Sequence, residues 1–313
     1  MLKKYFQLLL LFSFMITLPA FAQNEDDEND EDDEWDSGWN WDWDWDNDWW
    51  DWQHGKPLIE LNYGLGEPGH DKLTNKLAKV GLVELKLGYA SVYNLEEDGN
   101  VIEFNDKFSF ASKAAVNLQS EKDGTNELES EMWRFGFGRR SGYGYDLETV
   151  RILPYAQNAA VWSQLEMKEY PVTESPLPGF PILVENITDT EILKRFDKSF
   201  RFGTLTEGGI RFEVGSLLSL NAGYEASVIF PRHMVWKHLG SLIIETAGLE
   251  ALDNFIDEVI DSSPAAGPIV NFLLKNGFSY AFYTLKKEKM NWPFNTEAPL
   301  TYETFKFGVT FTF

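Results

Sequence analysis

The sequence predicts an all-β fold, a closed antiparallel β-barrel of ten strands, with eight as the alternative count. Two observations carry this expectation. Segments of alternating apolar and polar residues recur through residues 57–313, bounded by turn residues, which is the period-two pattern of strands with two unlike faces. The last segment is the most regular. Phe305, Phe307, Val309, Phe311 and Phe313 alternate with Lys306, Gly308, Thr310 and Thr312, so one face is apolar and the other small or polar.

The strands are expected, in order, at 58–64, 82–92, 101–112, 132–139, 149–157, 195–204, 209–215, 218–230, 277–287 and 302–313. In the first, Ile59, Leu61 and Tyr63 share a side. The second sets Val83, Leu85, Leu87 and Tyr89 against Glu84, Lys86 and Gly88. The third carries Phe104, Phe108 and Phe110, and the fourth opposes Trp133, Phe135 and Phe137 to Arg134, Gly136 and Gly138. The fifth is less regular. Later, Ile210, Phe212 and Val214 oppose Arg211 and Glu213, and Leu220, Ala222, Tyr224, Ala226 and Val228 oppose Asn221, Gly223, Glu225 and Ser227. An even number allows an antiparallel sheet to close without free edges. The alternation points Glu84, Lys86, Arg134, Arg151, Arg211, Glu213 and Glu225 inward. Both signs are present, so a salt-bridged and largely closed interior is expected.

One stretch departs from the strand pattern. Between the eighth and ninth expected strands, about residues 233–276, apolar residues fall three or four apart, from Trp236 and Leu239 to Val259 and Ile260. This spacing predicts an amphipathic helix over 233–261. Ser262-Ser263-Pro264 ends it, and Gly267-Pro268 opens a short second helix over 269–275. Ten strands place this hairpin on the periplasmic side or folded into the lumen as a plug. A periplasmic protein partner is the second way to bury its apolar stripe, and a leaflet surface the third. Asp253, Asp257 and Asp261 recur along the first helix, either as a cation-binding stripe or as its solvated face.

At the N-terminus, Lys3 and Lys4 precede an apolar run over 5–19, and Ala20-Phe21-Ala22 fits a small-x-small cleavage site before Gln23. That is the layout of a signal peptide over residues 1–22. The chain contains no Cys, which excludes disulfide staples and a lipoprotein anchor. Mean hydropathy is −0.31, and no later segment offers about 20 uninterrupted apolar residues, so helical spans are not expected. Together, the signal peptide, the strand rhythm and the terminal Phe resemble bacterial outer-membrane β-barrel proteins across residues 57–313. The resemblance implies an outer-membrane location, lipid against the barrel wall, and an assembly signal at Phe305, Phe307, Val309, Phe311 and Phe313 read by the barrel-assembly machinery. It also implies external loops at 163–194 and 288–299. Tyr63, Tyr89, Tyr93, Trp133, Tyr224 and Tyr302 would suit its interfacial girdles. No motif of a specific family is matched.

Charge is unevenly spread. The net value is −23, yet residues 24–52 alone hold 15 Asp or Glu and no Lys or Arg. Residues 23–56 form a low-complexity tail, acidic at first and then interleaving Trp with Asp. A solvated tether is the plainest reading. Lipid headgroups, carbohydrate stacking on Trp, and a metal site at Asp42, Asp44, Asp46 and Asp48 are alternatives. The metal pattern is weak, since Asn47 stands where a calcium loop needs Gly and Gln53 where it needs Glu. The rest of the chain is only moderately acidic and shows no basic face, which disfavours nucleic acid.

Catalytic signatures are sparse. No nucleotide loop, dinucleotide fingerprint or nucleophile elbow occurs, and no cofactor is expected. His70 with Asp71 is the one candidate pair for a rim hydrolase. A non-enzymatic envelope protein that passes or binds a small or hydrophobic solute, with the insertion as plug, is the leading expectation. A structural or adhesive surface protein, acting through the tail and external loops, is the alternative. A rim hydrolase is third.

Overall fold

The chain is described by a computed structural model over residues 55–95, 99–119, 127–147, 149–174 and 183–313. The expected signal peptide and the Trp/Asp tail, with Asp42, Asp44, Asp46 and Asp48, lie outside the described residues. In chain order the elements are β1 (Lys56–Gly69), β2 (Val80–Asn94), β3 (Val101–Ala115), β4 (Ser130–Asp146), β5 (Val150–Met167), β6 (Val172–Glu174), β7 (Leu183–Glu185), α1 (Ile187–Lys194), β8 (Phe200–Val214), β9 (Leu218–Ile229), α2 (Val235–Ser262), α3 (Gly267–Glu288) and β10 (Leu300–Thr312).

Among the described residues, eight strands close an antiparallel barrel in the order β1-β10-β9-β8-β5-β4-β3-β2, and β6 pairs with β7 in a separate ribbon. The seam runs from Leu58 opposite Thr312 to Gly69 opposite Thr301. The Phe313 amide continues it by donating to the Pro57 carbonyl at 2.9 Å.

The count is therefore the alternative, eight, for two physical reasons. The expected strands at 195–204 and 209–215 are one strand, β8, which runs straight through Gly208 and Gly209. A Cβ on Gly208 would strike the Asn276 side chain outside the wall, and one on Gly209 would strike the Tyr155 hydroxyl inside it. These glycines permit close approach from both faces and make no turn. The expected strand at 277–287 is helical and belongs to α3. Its buried set, Ser279, Phe282, Tyr283 and Lys286, has helical spacing, so packing overrides the β-propensity of its aromatic residues. The fifth strand runs on to Met167, into the stretch expected as loop. Its alternation is weak because Pro154 and Ala156, on its outer face, are buried as well.

The wall is polar inside and apolar outside. In β1, Glu60 is 1% exposed while Leu61 is 52% exposed, the reverse of a water-soluble barrel and the polarity of a transmembrane one. Ile59, Leu65, Val83, Leu85, Leu87, Phe135, Phe137, Phe305 and Phe307 continue the outer belt. Of the expected girdle, Tyr63, Tyr89, Tyr93 and Trp133 are exposed on it. Tyr302 is not: it points inward and is buried at the loop end. In β3, Phe104, Phe108 and Phe110 also turn inward. Glu103, Asn105 and Lys107 occupy the outward parity there.

Connections separate by length. The turns at 95–100, 147–149 and 215–217 lie at one end, and the longer connections at 70–79, 116–129, 168–199 and 230–299 at the other. With eight strands, the helical insertion leaves from the loop end, which corrects the periplasmic side expected from ten. It is also no plug. The second helix is far longer than 269–275, and Asn276, Tyr280 and Tyr283 meet the outward-facing Gly208, Tyr224 and Glu303. The hairpin thus packs against the outside of the wall.

Candidate functional site

Inward parity collects ten charged side chains in the middle of the barrel. Glu60, Glu84, Asp106, Glu207 and Glu225 face Lys86, Arg134, Arg140, Arg211 and Lys306, none more than 2% exposed. The formal charges cancel, which is what a dry interior demands of buried ions. Arg140 grips Glu60 with two bonds, 2.7 and 2.8 Å, while its Nε donates to Gln157 at 3.1 Å. Glu60 also accepts from Asn62 and Thr310, each at 2.8 Å, and lies 3.1 Å from Lys86. Strands β1, β4 and β10 are thereby joined across the lumen.

Lys306 makes a second centre. It donates to Glu84 at 3.0 Å and to Glu225 at 2.7 Å, and is paired with Glu207. Arg134 binds Glu225 with its guanidinium and Ser112 through Nε at 3.0 Å. Glu207 accepts from the Tyr155 hydroxyl at 2.7 Å and from Gln157 at 2.9 Å. Arg211 pairs with Asp106 and donates to Asn221 at 3.3 Å. The inward Phe108 lies under the Lys86 ammonium, 4.9 Å from ring centre, and Tyr155 under Arg140 at 4.5 Å. These cation–π contacts supplement the ion pairs of the lumen.

Of the residues that alternation points inward, Glu84, Lys86, Arg134, Arg211 and Glu225 belong to this network. Arg151 and Glu213 sit at the short-turn mouth, 3.6 Å apart, where Arg151 also donates to Asp146 at 2.8 Å. Glu60, Asp106, Arg140, Glu207 and Lys306 were missed, although each shares the inward parity of its strand. Asp106 was hidden by Phe104 and Phe108, whose apolarity suggests a lipid-facing side.

The loop-end mouth is closed by an apolar layer. Leu193 of α1 and Phe196 pack with Leu77, Val80, Leu82, Val116, Leu128, Met132, Leu165 and Tyr302. Polar bonds stitch the loops over it. The buried Asp189 carboxylate accepts from the amides of Thr74 and Asn75, the latter at 2.9 Å. Asp197 accepts from the Met167 amide at 2.8 Å and the Tyr170 hydroxyl at 2.7 Å. The first and second loops meet in a bridge between Leu77 and Leu128.

His70 belongs to this cap. Its Nε2 lies 3.2 Å from the Ala298 carbonyl, and its Nδ1 accepts from the Lys72 amide at 3.1 Å. Burial holds its imidazole below the ordinary histidine range, which favours the neutral tautomer donating from Nε2. Both ring nitrogens are thus committed to backbone, leaving neither to act as a base. A cavity of about 210 Å³ beside it is lined by Lys72, Arg195, Phe196 and Glu297. On α2, Asp253 is paired with Lys275, Asp257 accepts from the Tyr143 hydroxyl at 3.4 Å, and Asp261 is exposed. Among the described residues no cluster of His, Asp and Glu is arranged to hold a metal ion.

No protein-family model matches the chain, and no curated protein does. Among solved structures, it is similar to Neisserial surface protein A, at 10% identity with a TM-score of 0.36, covering 82% of this chain and 97% of that one. It is also similar to Ail, the attachment invasion locus protein of Yersinia pestis, at 9% identity with a TM-score of 0.31, covering 83% of this chain and 99% of that one.

Proposed function

We propose that this chain is a non-enzymatic, non-conducting β-barrel of the bacterial outer membrane, which anchors and displays its stitched external loops as a structural or adhesive surface protein. The apolar belt around a polar interior supports the membrane location, as do the signal-peptide layout and the closing Phe-rich strand. One observation carries the rest: five acids and five bases fill the lumen in mutual contact, beneath an apolar cap. A solute would have to break several desolvated ion pairs to pass, and removing one partner of such a pair costs about 3–5 kcal/mol.

Planar-bilayer recordings test the reading. The full-length protein is expected to be silent, and deletion of residues 233–276 is expected to leave it silent, because the hairpin lies outside the lumen. Steady single-channel conductance from either form would sink the proposal, and conductance from the deletion alone would restore the plug.

A further inference from the structure

Resting on that membrane reading, we propose that α3 and the loop-end half of α2 lie inside the bilayer, docked on the barrel wall with their outer faces against lipid acyl chains. The hairpin runs the height of the wall. At the short-turn end the Tyr145 hydroxyl donates to the Ala265 carbonyl at 2.7 Å. At mid-height Asn276 Nδ2 donates to the Tyr155 carbonyl at 3.1 Å. At the loop end Tyr283 and Lys287 both reach Glu303, at 3.0 and 2.8 Å. The span of α3, about 33 Å at ~1.5 Å per residue, exceeds the roughly 25 Å apolar band of an outer-membrane barrel.

The polarity of α3 is inside out. Its exposed side chains are chiefly apolar, Ile269, Leu273, Tyr280, Ala281 and Leu285 with Thr284, while Asn271, Ser279 and Lys286 are buried beside Phe282 and Tyr283. A helix packed on a protein in water does the opposite. Lys275 and Lys286 are turned inward and paired, with Asp253 and Glu245, and the exposed Glu288 stands at the loop end of the helix. On α2 the loop-end half exposes Val235, Trp236, Leu239, Leu242 and Ile244, and the exposed acids Glu250, Asp257, Glu258 and Asp261 gather toward the other end.

The contact surfaces also suit lipid. Between elements in a bilayer there is no hydrophobic driving force, so close packing through small residues and polar bonds takes its place. Gly208 lies directly beneath Asn276, Gly248 beneath Phe278, and Gly267 against Ile260. Neither helix is long and apolar enough to cross a membrane alone; the wall supplies the partners for their polar groups. The outer face of the hairpin is continuous with the apolar belt, whose solvent is acyl chain, and this fixes the occupant.

The chain has no Cys, so single substitutions give clean spin-label sites. Leu242→Cys and Leu273→Cys would be compared, in full-length protein reconstituted into phosphatidylcholine vesicles, with Leu61→Cys on the bare wall and Glu258→Cys at the wet end of α2. Collision with oxygen against a water-soluble nickel chelate is the readout. Labels at 242 and 273 are expected to lose nickel collision to the level of the label at 61, while 258 retains it. Nickel access at 242 and 273 with a protected 61 overturns the inference and leaves the membrane barrel standing. Nickel access at 61 overturns both.

Discussion

Arg140 shows how much a single side chain can hold in this barrel. It spans from β4 to Glu60 on β1, lies over Tyr155 and Phe108, and sits 3.6 Å from Asp106. Arg140→Ala leaves carboxylates buried without their principal counter-charge, so it is expected to cost about 3–5 kcal/mol in urea unfolding from micelles. Glu60→Gln added to it should recover part of that loss, because the orphaned charge is gone. Strict additivity of the two would show that the residues do not interact. An inward charge is legible where the opposite face is plainly apolar, as at Glu84 between Val83 and Leu85. The same signal stands at Glu60 between Ile59 and Leu61 and at Lys306 between Phe305 and Phe307, although both were missed. The charge is illegible at Asp106, where the inward row is itself aromatic and the outward row carries Glu103, Asn105 and Lys107. Period two tells which residues share a face, and in β3 it does not tell which face is which.

At the scale of elements, β8 and α3 explain one another. The Thr204–Gly209 region reads as a turn only if each strand is judged alone, because a helix pressed on the outer wall leaves no local signature in the strand beneath it. The same contact makes Gly208 sensitive. Gly208→Val would drive its side chain into Asn276 and is expected to cost about 1–3 kcal/mol of overpacking. Limited proteolysis should then cut α3 while the barrel core survives. A hairpin as protected as in the unsubstituted protein would contradict the packing described. The second helix is half visible in the sequence, as Ile269 to Lys275, and its remaining turns read as a strand because Phe, Tyr and Thr favour extended backbone in isolation. Only its burial against β4, β5, β8 and β9 decides the matter, and that information is not local.

For the whole molecule, closure is the governing property. A cylinder without edges, cross-braced by ion pairs between distant strands, should resist detergent until heated. Unboiled protein is therefore expected to run faster than boiled protein on a denaturing gel, and identical mobilities would speak against a closed barrel. The closing strand and the inverted polarity were both available from residue order. The side of the helical insertion was not, because dividing β8 in two puts eight strands before it where the barrel has seven, and one miscounted strand moves the next loop to the other end.

The joint between β1 and β10 lies diametrically across the ring from the joint between β4 and β5, two of the staves on which α3 rests. The two devices nonetheless share β10, whose Glu303 accepts from Tyr283 and Lys287 of α3. The final thirteen or so residues thus zip the gap and, in the same movement, latch the loop end of the helix to the wall.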